Sequence, residues 1–141
     1  MEYITVKTQF VVSSFFGIVF TALGGHDILL HILIAMVVTD YCSGIAVGMK
    51  NKELSSKTGF NGIIKKAFIF SVVYMANLAD VATGADTFRN VVVMFYISNE
   101  GISVLENLGK IGVKYPQKIK NFLIQLGDEK NDNSENSKSD N

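Results

Sequence analysis

ILLHILIAMVVTDYCSGIAVGM, residues 28–49, decides the fold. A helix needs about 20 consecutive, mostly apolar residues to cross the hydrocarbon core of a bilayer. This run has that length, and Asp40 is its only charged side chain. On insertion scales a central Asp costs about 2.5–3.5 kcal/mol, while each Leu, Ile, Phe or Val returns about 0.3–0.6 kcal/mol. The aliphatic residues of 28–49 together offset Asp40, so the segment inserts with its acid in place.

Three further apolar runs flank it. Phe10–Leu23 precedes it, and extends back to Ile4 if Lys7 snorkels. Ile63–Val81 and Phe88–Leu108 follow. The first run is short for a span; the other two are long enough. A soluble bundle could also contain helices that are apolar all round, but only under amphipathic partners. The one clear amphipathic stretch is Tyr115–Leu126, where Ile119, Phe122, Leu123 and Leu126 share a face away from Lys118, Lys120 and Asn121. From Asp128 to Asn141 no apolar side chain occurs, which predicts a disordered polar tail. The expected fold is therefore all-α: one multi-pass membrane unit over residues 1–127 with three or four transmembrane helices, an amphipathic C-terminal helix and a tail over 128–141. Asn61, eased by Gly59 and Gly62, is the expected cap of the third membrane helix. Pro116 marks the start of the amphipathic one.

The N-terminal run departs from a signal peptide, because Lys7 alone precedes it and Gly24-Gly25 replaces a small-residue cleavage site. It is expected to be retained. A formal net charge of zero hides a strong asymmetry. Lys50, Lys52, Lys57, Lys65 and Lys66 cluster after the second run, and Lys110, Lys114, Lys118 and Lys120 after the fourth. The two short turns carry Asp27, Asp80, Asp86 and Arg89 instead. Because basic residues mark the cytoplasmic side, the lysine loop and the C-terminus are expected inside and the short turns outside. The N-terminus is then inside if the first run spans, and outside if it does not. These nine lysines are read as topology markers facing lipid headgroups, with anionic lipid a nearer partner than nucleic acid.

Function points to the polar groups inside the apolar runs. Asp40, Asp80 and Glu100 lie within or at the edges of those runs. Tyr96, Asn99, Glu100, Ser103, Glu106 and Asn107 follow one another at helical spacing as one stripe, opposite Met94, Ile97, Leu105 and Leu108. Asp40, Gly44 and Gly48 form a comparable line, whose small residues let another helix approach closely. Intramembrane ionisable groups mark a pathway, a relay or an assembly face, so Asp40, Gly44, Gly48, Asn99, Glu100, Ser103, Glu106 and Asn107 are candidates for lining a pore or an oligomer interface. Enzymatic chemistry is not expected: there is no nucleophile elbow, phosphate loop or HExxH. Nor is a cofactor or metal, since His26 and His31 lack companion ligands and the lone Cys42 excludes a disulfide framework or a cysteine-based zinc cluster.

Three ordered motifs then resemble a known family. Asp40-Tyr41-Cys42-Ser43-Gly44 is similar to the D-Y-x-[ST]-G start of the toxin-secretion and phage-lysis holins. NKELSSKTGFNGIIKK, Asn51–Lys66, resembles their basic loop, and FYISNEGISVLENLGKIGVKYPQKI, Phe95–Ile119, resembles their signature. The likeness runs over about Ile28–Leu126. It implies a homo-oligomer in the bacterial cytoplasmic membrane that opens lesions, with an endolysin or a toxin as exported cargo. It implies no catalytic or ligand site. A small ion-channel or transporter subunit, and a scaffold recruiting a partner through its C-terminal helix, fit the same residues apart from the motifs.

Overall fold

The computed structural model describes residues 2–128, with side chains from Val6 to Gly127. It holds five helices: α1 (Glu2–Ala22), α2 (Ile28–Lys50), α3 (Ser56–Thr83), α4 (Phe88–Ile111) and α5 (Gln117–Asp128). No strand occurs among the described residues. The tail expected over 128–141 lies outside them, apart from the backbone of Asp128.

Local chemistry sets the helix ends. Asp27 caps α2 by accepting the Leu30 N–H at 2.8 Å. Ser55 caps α3 by accepting the Thr58 N–H at 3.1 Å. The third helix therefore begins well before the expected Asn61 cap. Gly59 and Gly62 stay helical there, and a Cβ on either would sit 3.6 Å or 3.5 Å from the Tyr41 ring system of α2. Gly112, at φ +95°, ends α4 in the left-handed conformation that glycine adopts freely, and Pro116 directly precedes α5.

Helix α4 is the hub. It packs most extensively on α2, then on α5 and α3, whereas α2 and α3 touch little. The core joins Leu30, Leu33 and Val37 of α2 to Ile69 and Val73 of α3 and to Val93 and Ile97 of α4, with Leu23 closing one end. Among the described residues, helix α1 packs on this core through Val19 and Phe20, and Phe10, Val11, Phe15 and Ile18 stand uncovered.

Two helices, α2 and α3, are long and apolar enough to cross a membrane. Only 28% of the apolar stretch of α2 and 17% of that of α3 is buried inside the protein, far too little for core helices of a soluble fold. Phe68, Met75 and Val81 of α3 are 65–74% exposed. Large apolar side chains left uncovered along two long helices suit a lipid surround. The sequence led us to expect three or four spans. The apolar part of α1 is shorter, and α4 carries Arg89, Glu100, Glu106 and Lys110.

Candidate functional site

Asp40 of α2, Lys66 of α3 and Glu100 of α4 meet between the three helices. The Lys66 ammonium donates to Asp40 Oδ2 at 2.6 Å and also to Glu100 Oε2. The side chains are only 11%, 18% and 6% exposed, respectively. Asn107 extends the cluster, donating to Asp40 Oδ1 and to Ser43 Oγ, each at 3.1 Å. Ser43 in turn donates to the Asp40 carbonyl at 3.0 Å. At 1.5 Å rise per residue, Asp40, Lys66 and Glu100 each lie roughly 15 Å from the lysine-rich end of their helices. One cation between two carboxylates, with an amide on the spare lone pair, satisfies buried charges that would otherwise be costly.

The candidate residues do not act as one surface. Glu100 and Asn107 point into the bundle, Ser103 is half-buried, and Asn99 and Glu106 are exposed. The stripe read along α4 is thus split between an internal ion cluster and an outer edge. Gly44 lies against Asn107 of α4, which a Cβ there would meet at 3.8 Å, whereas the neighbours of Gly48 come from Leu54. Both glycines line a groove of about 270 Å³ between α2 and α3, where Leu54 of the connecting loop lies over Gly48. Among the lysines expected at the headgroups, Lys50, Lys52, Lys57, Lys65, Lys110, Lys114 and Lys118 are exposed and Lys120 is half-buried. Lys66 departs from that expectation. It sits on the same side of α3 as the buried Ile69, Val73, Ala76 and Asp80, and this spacing was its visible signal. Composition hid it, because it follows Lys65 in a basic stretch.

A second polar cluster ties the opposite end. Arg89, 6% exposed, donates from Nε to the Leu23 carbonyl and pairs with Asp27 at 2.5 Å. Asp80 of α3 accepts the Phe88 and Arg89 backbone N–H groups, both at 2.9 Å. It caps α4 from a neighbouring helix, since Thr87 provides no side-chain cap. Asn77 donates to the Ala22 carbonyl at 3.0 Å. Gly24, at φ +93°, leaves room for the Arg89 side chain, which a Cβ there would strike. Burial works against the charge on Asp27, but hydrogen bonds from Arg89 and the Leu30 amide, with the Arg89 charge, outweigh it and hold the carboxyl below its ordinary range. From the sequence, Asp80 and Arg89 both read as residues of a short turn. No group of three potential metal ligands occurs among the described residues.

A profile of the bacteriophage holin family matches residues 17–128. The chain belongs to the bacteriophage holin family. Relatives of this holin-family chain include the probable holin of Bacillus phage phi105, 38% identical over 67% of this chain and 70% of its own. An uncharacterised 14.9 kDa protein in the nagH 3′ region of Clostridium perfringens is 42% identical over 81% and 89% of the two chains. The uncharacterised protein YqxH of Bacillus subtilis is 36% identical over 76% and 77%. No solved structure matches. The family match spans α2 to α5 and takes in Asp40, Lys66, Glu100 and Asn107.

Proposed function

We propose that this chain is a holin that assembles in the bacterial cytoplasmic membrane and opens lesions through which an endolysin or a toxin leaves the cell. The lysine loop and the C-terminus face the cytoplasm, and α4 crosses the bilayer beside α2 and α3. The observation that supports this reading is the Asp40–Lys66–Glu100 cluster, enclosed between α2, α3 and α4, two of which are long and apolar enough to span a membrane. In a single chain Lys66 bridges both carboxylates and Asn107 donates to Asp40, so the charged groups are satisfied inside the bundle. In an assembly the same groups can turn toward neighbours or water, so the helices part without leaving bare charge in hydrocarbon. Asn99 and Glu106, already on the outer edge of α4, are the polar groups a neighbouring copy meets first.

Expression in a bacterial host, with potassium and a large cytoplasmic enzyme followed in the medium, tests it. A holin releases both together and abruptly. Potassium loss with the enzyme retained identifies an ion channel instead. Glu100→Leu should insert normally yet abolish release, and unchanged lysis timing in that variant overturns the role given to the cluster.

A further inference from the structure

Helix α5 folds back along α4 from the lysine-rich end. Leu123 seats in the notch left by Gly101, where a Cβ would come within 2.9 Å of it, and Ser98 donates to the Leu123 carbonyl. Gly127 lies beside Ser98, thirteen residues up α4 from Ile111, which is roughly 20 Å along the helix. If α4 crosses the bilayer, as the proposed function holds, this pose takes the end of α5 to mid-depth. The chain continues from there as DEKNDNSENSKSDN, which carries Asp128, Glu129, Lys130, Asp132, Glu135, Lys138 and Asp140 and no apolar residue. Charged side chains at the bilayer centre are the most unfavourable residues to insert. The docked pose and a lipid-facing α4 therefore exclude each other.

The faces of α5 indicate where it goes. Docking buries Leu123 but leaves Phe122 61% and Ile119 46% exposed, so half of the apolar face has no partner in the protein. Lys118 and Lys120 flank that face. Between Asn107 and Gly127 the chain holds Lys110, Lys114, Lys118 and Lys120 and no acid. An apolar stripe bordered by lysines suits the headgroup boundary of an anionic leaflet. We propose that α5 is a detachable cover: docked on the Ser98–Gly101 notch away from lipid, it leaves α4 in the membrane, lies along the anionic cytoplasmic surface and uncovers the notch.

A thiol bridge tests the detachment. A Cβ built at Gly127 lies 3.3 Å from that of Ser98, close to disulfide spacing. In a Cys42→Ser, Ser98→Cys, Gly127→Cys chain, oxidation should bridge the two positions within one molecule in neutral detergent. In phosphatidylglycerol vesicles the yield should fall about tenfold or more. Equal yields in both overturn the detachment, and a bridge between two molecules shows α5 exchanged onto a second copy rather than onto lipid. Phe122→Trp adds a sole tryptophan to a chain that has none. Its emission should shift to the blue in phosphatidylglycerol vesicles, and Lys114→Gln, Lys118→Gln and Lys120→Gln together should reverse the shift. An unshifted emission overturns the lipid partner. Impermeant labelling of Asp86→Cys and Lys110→Cys, each in a Cys42→Ser background, separates the premises. Opposite faces with a persistent bridge overturn the detachment alone, whereas a shared face overturns the crossing of α4 as well.

Discussion

At the scale of single residues, the stoichiometry of the ion cluster governs what substitution does. Two carboxylates share one ammonium, so the three positions are not equivalent. Lys66→Met leaves Asp40 and Glu100 facing each other without a cation. Removing one partner of a buried pair costs about 3–5 kcal/mol. Asp40→Asn leaves one acid on one base and should cost less. Thermal unfolding in detergent should rank Lys66→Met as the more damaging, and joint replacement by Asp40→Asn, Lys66→Met and Glu100→Gln should recover much of the loss. The opposite end responds to pH. The Asp27 carboxyl is held below its unfolded value, so its contribution is complete above about pH 4, the ordinary Asp range. It is lost as pH falls through the folded value. Melting followed from pH 7 to pH 3 should show that decline, and Asp27→Asn should remove the part due to this group.

Between elements, the contacts that matter are polar groups of one helix serving the backbone of another. Asp80 supplies the cap that the N-terminus of α4 lacks in its own sequence. Asp80→Ala should cost about 0.5–2 kcal/mol, the range for a lost cap, and hydrogen exchange should quicken at the Phe88 and Arg89 amides before it does mid-helix. This kind of contact also marks the limit of what the sequence discloses. Apolar runs are local, so the existence and order of the helices could be read directly, whereas the cap of α3 lay at Ser55 and not at the expected Asn61. Asp40 and Glu100 stood out because an acid in an apolar run is conspicuous. Lys66 and Arg89 did not, because basic residues near helix ends read as topology signals until a fold places a carboxylate opposite them. The Gly44–Gly48 line could be read as a close-approach face, but not that Gly44 would lie against Asn107 while both glycines line a groove toward α3. Periodicity identifies a face but not what meets it.

For the whole molecule, polarity is segregated by end. Lys50 reaches the Lys110 carbonyl at 2.7 Å, joining the basic ends of α2 and α4. Asp27, Asp80 and Arg89 gather at the other end. With the lysine end cytoplasmic, an impermeant thiol reagent should label Asp86→Cys in intact cells and Lys52→Cys only after permeabilisation, both in a Cys42→Ser background. The reverse pattern would invert the topology.

The boundary of α1 carries a different kind of consequence. The helix meets the bundle from Val19 onward, and the family match begins at residue 17. The matched region and the packed region thus start within one turn of each other. Upstream of that point, the exposed Phe10, Val11, Val12 and Phe15 are tied to the fold by covalent linkage rather than by packing in the core. Such a segment should tolerate change: lengthening, shortening or exchanging it is expected to leave the melting of the bundle unaltered.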